Sequence, residues 1–243
     1  MVTAKPIGFL HPAPLIIGHR GAAGLAPENT LPSFALACTH GLHAVELDVY
    51  TLEQELIVIH DDTVDRTTNG KGEVAAFSLE ALMTLDAGDG AAVPTLDDVW
   101  NLVPGNIGVN IELKGPGTAE PVAEWLARTA PFPPGRLMIS SFDHEELAHF
   151  QQSQAGTDVL LAPLFHRWRE GCVDVARRFE TTHINFNHKL LNASRMARLS
   201  DARLKVCAYT VNTARRAKQL FDMGVHGIFT DRPDLMQEFV QVA

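Results

Sequence analysis

The sequence predicts an α/β fold: a (β/α)8 TIM barrel with a β-hairpin after its second strand and a small inserted loop-rich subdomain. Three observations predict it. Short β-branched apolar runs recur along the 243 residues, helix-like segments separate most of them, and one pair of runs is too close together for a helical crossover.

"LIIGH" at 15–19 is the first run, and "NTLPSFALACTHG" follows it with apolar residues at three- and four-residue spacing, Asn29 or Thr30 as cap and Gly41 as stop. "AVELDV" at 44–49 is the second strand and "LIVIH" at 56–60 the next run. Only eleven residues lie between Asp48 and His60, whereas a parallel crossover needs about a dozen or more. "LIVIH" therefore folds back as a hairpin arm with its turn at Glu53-Gln54, and pairing symmetric about that turn sets His60 level with Leu47 and Asp48. From Asp62 to about Gly105 the chain is rich in turn residues, as in "RTTNGKGEV" and "DAGDG", and reads as a small insertion or lid.

The remaining strands are "IGVNIEL" at 107–113, "RLMISSF" at 136–142, "DVLLAPL" at 158–164, "HINFN" at 183–187, "LKVCAYTV" at 204–211 and "GIFTD" at 227–231. Amphipathic segments such as "EPVAEWLARTA", "DHEELAHFQQSQAG", "SRMARLSDA" and "NTARRAKQLFDMG" alternate with them. Setting the hairpin arm aside leaves eight strands, the barrel number. No repeat, low-complexity tract or Gly/Ser linker interrupts the series, so residues 1–243 read as one domain, with residues 62–105 as its insertion.

With 46% hydrophobic and 20% charged residues the chain can hold a full core. A net charge of −9 argues against nucleic acid or an anionic membrane as a broad-surface partner, so a small anionic substrate would need locally placed cations. Cys38, Cys172 and Cys207 are odd in number and far apart, which suggests neither a disulfide framework nor a zinc cluster and fits a reducing compartment. There is no 18-residue apolar run and no signal-like start, so a cytoplasmic protein without stable membrane insertion, a monomer or a homodimer, is expected.

Side chains two apart on a strand share a face, so Glu46 and Asp48 point one way, as do Glu112 and Lys114. Three carboxylates converging in an apolar barrel mouth are costly unless they share a cation, and an all-oxygen ligand set selects a hard ion, Mg²⁺ or Ca²⁺. Ordinary salt bridges from these rim acids to Lys114 or Arg20 are the other reading of the same spacing. His19 and Arg20 end the first strand, and His60 ends the hairpin arm, at the barrel face where active sites are built. Two imidazoles can divide proton acceptance and donation, and Arg20 with Lys114 supply positive charge for a phosphate. The combination describes phosphodiester cleavage better than sugar or peptide chemistry.

"HRG", "PENT", "ELDV", "HDD", "RTTNGKGEV", "LDAG", "VPTLDDV", "NIELK", "SSF", "YTVN" and "GIFTDRPD" occur in that order. In these motifs the chain resembles the glycerophosphodiester phosphodiesterases, most of all the cytosolic bacterial enzymes. The resemblance implies hydrolysis of glycerophosphodiesters to sn-glycerol 3-phosphate and an alcohol, with one divalent cation. It implies Glu46, Asp48 and Glu112 as metal ligands, His19 and His60 as the acid/base pair, and Arg20 and Lys114 on the phosphate. Glu28 and Asn29 of "PENT" fall in the same mouth, as ligands or as structural caps, and Asp61 is placed to orient His60. Two departures stand out: Glu53-Gln54 replaces the Asp-Gly common at the hairpin turn, and Tyr209 replaces the Trp of many members in the apolar wall beside the substrate.

Two rival functions fit the same fold. A related barrel phospholipase acting on lipid head groups would need an exposed apolar rim; a catalytically silent phosphodiester-binding protein would lack at least one of the two histidines or three acids. The arginine-rich stretch at 166–179 reads as a solvated helix face, and Asn187 and Lys189 as residues within reach of the pocket.

Overall fold

The computed structural model describes residues 7–153 and 159–240. Strands β1 (Leu15–Gly18) and β2 (Ala44–Leu52) are joined in one sheet by β3 (Glu55–Val58), β4 (Gly108–Leu113), β5 (Leu137–Ser141), β6 (Leu160–Phe165), β7 (His183–Asn187), β8 (Lys205–Tyr209) and β9 (Gly227–Thr230). Every apolar run singled out above overlaps one of these strands; Asp158 at the start of "DVLLAPL" lies outside the described residues. β1 pairs in parallel with both β9 and β2, so eight parallel strands close into a ring.

The ninth strand, β3, is antiparallel to the far end of β2, with Val49 opposite Val58 and Leu52 opposite Glu55. Glu53 and Gln54 form the turn in left-handed conformations, φ 50° and 71°, the geometry that matches strand twist in two-residue hairpins and usually recruits Asn-Gly. Continued two residues past β3, the register places His60 opposite Leu47, as the symmetric pairing predicts.

Outside the ring lie α1 (Leu31–Thr39), α2 (Leu79–Met83), α3 (Leu96–Leu102), α4 (Ala119–Thr129), α5 (His144–Ser153), α6 (Cys172–Arg178), α7 (Ala193–Asp201) and α8 (Ala214–Asp222). Thr30, not Asn29, caps α1, its hydroxyl accepting from the Ser33 amide. α5 is described through Ser153, and residues 154–156 of its predicted segment lie outside the described residues. The arginine-rich stretch contains α6, whose Arg177 and Arg178 make exposed ion pairs while Cys172 and Ala176 face the core.

Alternation along the strands separates two cores. Val45, Leu47 and Val49 of β2 join the large cluster between sheet and helices, whereas Ala44 packs inside the ring with Leu15, Ile17, Met138, Ala162, Cys207 and Phe229. Phe9, from a short 3₁₀ turn, closes the bottom of that interior and is fully buried. Ala44, Glu46 and Asp48 share one face, so the acids point into the barrel above an apolar floor.

A third cluster, with Leu52, Ile57, Ile59, Val64, Val74, Leu82 and Val93, belongs to the hairpin and the loops after it. These loops hold together through their own buried side chains. α3, although within residues 62–105, packs instead on the outer ring. Its Leu96 and Val99 join the main core, Asp97 accepts a 2.7 Å hydrogen bond from the Trp125 indole of α4, and Thr95 and Asp98 form a reciprocal capping box at its start. It occupies the crossover position between β2 and β4.

Candidate active site

The mouth formed by the C-terminal ends of the barrel strands encloses a cavity of about 190 Å³. His19, Arg20, Glu46, His60, Asn110 and Glu112 line one side; Phe142, Leu164, Tyr209 and Phe229 line the other. Strand ends placed there by the parallel sheet are where this architecture gathers functional groups.

Glu46, Asp48 and Glu112 are 2%, 1% and 9% exposed. One carboxylate oxygen from each lies within 4.8 Å of the others, the arrangement a hard cation needs. Burial, then the charges of Asp48 and Glu112, pushes the Glu46 carboxyl well above the usual range. Burial and Asp48 push Glu112 up to about 7 against the opposing pull of Lys114. Such mutual repulsion is relieved when positive charge enters the group. The Asn29 amide donates to Asp48 at 2.9 Å while its Oδ1 and that of Asn110 are buried without a partner. The donor set therefore fits a hard divalent cation: three converging carboxylates, no nitrogen or sulfur ligand in the group among the described residues, and unsatisfied amide oxygens close by.

Local backbone geometry delivers the cations. Gly18 ends β1 so tightly that an added Cβ would sit 2.4 Å from the Gly21 carbonyl, and Gly21, at φ +82°, would meet the Ser33 hydroxyl at 2.5 Å. Within this turn Arg20 takes φ 51°, and its amide donates to Glu46 at 2.9 Å. Its guanidinium bonds Glu28 at 2.8 Å and lies 3.4 Å from Asp48. Burial alone would lower its affinity for a proton, but the charges of Asp48, Glu46 and Glu28 outweigh that and raise it. Lys114 lies 3.0 Å from Glu112 and 3.8 Å from Asp48, and these acids likewise overcome burial.

The two imidazoles have matching supports. His19 Nδ1 lies 2.6 Å from Asp231, which follows β9, and Asp231 takes a second hydrogen bond from the Asn212 amide at 2.7 Å. His60 Nδ1 lies 2.5 Å from Asp61, and its Nε2 faces the Lys114 ammonium at 3.2 Å. A neutral ring with its hydrogen on Nδ1 satisfies both contacts. Burial lowers the His60 pKa despite the opposing charge of Asp48 and the bond to Asp61. Hydrogen bonding from Arg66 holds the Asp61 carboxyl well below the usual range.

The ten residues expected to hold metal, phosphate or substrate or to move protons border or support this one mouth, and Asp61 backs His60. Glu28 joins Arg20 to Arg66 rather than the acidic group, and Asn29 steadies Asp48. Tyr209 contributes its ring: the hydroxyl donates to the Phe165 carbonyl at 2.7 Å, and the ring meets Phe142 edge-on at 5.7 Å. Asn187 and Lys189 are not among the cavity residues; Asn187 instead accepts from the Lys189 amide. Asp231, Asn212, Arg66 and Phe142 were not singled out by sequence reasoning. An acid immediately beyond a barrel strand was the available signal for Asp231; Arg66 gave none, because its partners come from separate loops.

The profile of the glycerophosphoryl diester phosphodiesterase family matches residues 19–235. The Bacillus subtilis protein YhdW, whose own glycerophosphodiester phosphodiesterase assignment is provisional, is 37% identical over 235 residues, covering 91% of this chain and 96% of that one. The glycerophosphodiester phosphodiesterase of Caldanaerobacter subterraneus subsp. tengcongensis is 32% identical over 244 residues, covering 93% and 98%. A phosphodiesterase of Oleispira antarctica, solved in complex with its product sn-glycerol-3-phosphate, superimposes with a TM-score of 0.84 at 27% identity, over 93% of this chain and 96% of that one. The acid-lined barrel mouth, the ordered motifs and these likenesses together make the chain a member of the glycerophosphoryl diester phosphodiesterase family.

Proposed function

We propose that this protein hydrolyses glycerophosphodiesters to sn-glycerol 3-phosphate and an alcohol, using His19 and His60 as the acid/base pair and one divalent cation, Mg²⁺ or Ca²⁺, held by Glu46, Asp48 and Glu112. The observation that carries the proposal is the sharing of one cavity by two carboxylate-supported imidazoles, three converging acids and two cationic side chains. When bound, the cation would neutralise charge on the phosphoryl oxygens.

The chain's own groups do the rest. Arg20 and Lys114 hold the phosphate, Lys114 transferring its N–H donors from His60 and Glu112 to a phosphoryl oxygen as substrate arrives. Release of that contact frees the His60 Nε2 lone pair to accept the proton of the attacking hydroxyl, from water or from the glycerol 2-hydroxyl. His19, with Asp231 as counter-charge, gives a proton to the departing alkoxide. The aromatic wall of Phe142, Tyr209 and Phe229 packs the apolar parts of the diester and excludes water. The three described cysteines are free, in keeping with a cytoplasmic setting.

Release of sn-glycerol 3-phosphate from glycerophosphocholine, measured with Mg²⁺, with Ca²⁺ and with chelator, tests the proposal. Cation-dependent release is expected. No release with either ion, or full release in chelator after dialysis, contradicts it.

A further inference from the structure

Arg66 is not part of the cavity wall, yet its guanidinium links the supports of two wall residues, His60 and Arg20. Nε and Nη2 donate to the two oxygens of Asp61 at 2.7 and 3.1 Å. Nη1 and Nη2 donate to the two oxygens of Glu28 at 2.7 and 2.8 Å. The same Asp61 contacts His60 Nδ1, and the same Glu28 accepts from Arg20 Nη1. One planar fork thus spans the carboxylate behind an imidazole and the carboxylate behind a phosphate-facing guanidinium, a geometry that a single ammonium cannot reproduce.

The insertion holds this fork in place. Val64 is fully buried in the insertion's own cluster, its amide bonds the Gly72 carbonyl, and Asp65 accepts from the Gly72 amide at 2.8 Å, so the two residues before Arg66 are tied down.

We propose that Arg66 is a positioning residue for the phosphodiesterase reaction: it clamps Asp61 to Glu28, which sets the spacing of His60 from Arg20, and it takes up the charge of Asp61 so that His60 meets the substrate as a proton acceptor. The inference rests on the function proposed above. The groups bearing on His60 are Asp61 on its own segment, Asp48 on β2, Arg20 after β1 and Lys114 after β4. Without Arg66 the full charge of Asp61 would favour the imidazolium, and the base would be available only at higher pH.

The experiment compares glycerophosphocholine hydrolysis by wild type, R66Q, R66K, D61N and D61N/R66Q, as kcat and KM across pH with saturating Mg²⁺. R66Q is expected to lose about 10-fold in kcat and to move the acid limb of kcat/KM upward by roughly half a pH unit or more. R66K keeps the charge and is expected to retain the wild-type limb while losing part of the rate. In the D61N background R66Q should move the limb no further, because the charge that Arg66 compensates is gone. R66Q with wild-type rate and limb overturns the inference, as does an equal limb shift with and without Asp61. Should R66Q not fold, R66K decides: full wild-type kcat in that variant overturns the clamp. An inactive wild type overturns the proposed function, and this inference with it, whereas an active wild type with an indifferent Arg66 overturns this inference alone.

Discussion

Neutralising one acid of the triad should make the cation-free protein more stable and its response to cations weaker, two effects of opposite sign from one substitution. The ligand oxygens of Glu46, Asp48 and Glu112 lie within 4.8 Å of one another, so each ionised pair repels by roughly 3.5 kcal/mol at an effective dielectric of about 20. Lys114 and Arg20 offset part of this, and the rest adds to burial in the upward displacement of Glu46 and Glu112. At pH 8, above the value of about 7 for Glu112, that carboxylate contributes its charge to the group. A divalent ion at about 100 times its Kd should then stabilise the wild type by about 2.7 kcal/mol. For a chain of this size that corresponds to a rise in Tm of about 5–11 °C. Differential scanning fluorimetry at pH 8, with chelator and with excess Mg²⁺ or Ca²⁺, measures it without any turnover. E46Q should melt higher than wild type in chelator and lose most of the cation-dependent rise. An absent rise in wild type with both ions, or an undiminished one in E46Q, would refute the assignment of these acids to a cation.

Three further outcomes are expected. H19A and H60A should each lower kcat by about 100-fold or more while keeping the far-ultraviolet circular dichroism of the wild type; a variant with full activity removes that ring from the reaction. D231N should reduce kcat by about 10- to 100-fold with little change in KM, since Asp231 acts through the orientation of His19 2.6 Å away; a loss confined to KM would contradict that role. His43 is buried, accepts the Ile16 amide on Nδ1, and is lowered by burial to about 4. Its folded pKa is below its unfolded value, so its contribution is complete above about pH 6.5 and is lost as pH falls toward 4. Between pH 7 and pH 5 urea titrations should show the wild type losing about 2 kcal/mol more than H43N, and identical losses would exclude this source of acid sensitivity.

The barrel was legible in the spacing of its strands because parallel strands need long crossovers, and the only short gap, before "LIVIH", marked the hairpin. The face shared by Glu46 and Asp48 was legible for a similar reason: a strand's period of two leaves no freedom once Ala44, Val45 and Leu47 are assigned to their cores. α3 was not read as a barrel helix. It has only two turns, within a loop-rich stretch, and its identity comes from packing against α4 through Asp97 and Trp125.

By itself the sequence determined the closed eight-stranded ring, the hairpin register that brings His60 to the mouth, and the residue types gathered there, because periodicity and chain length are local properties. Only tertiary structure decided the pairings of Asp231 with His19 across 212 residues and of Arg66 with Glu28 across 38. Hydrogen bonds and charge repulsion act over a few ångströms in space, and closure of the barrel brings the first strand beside the last.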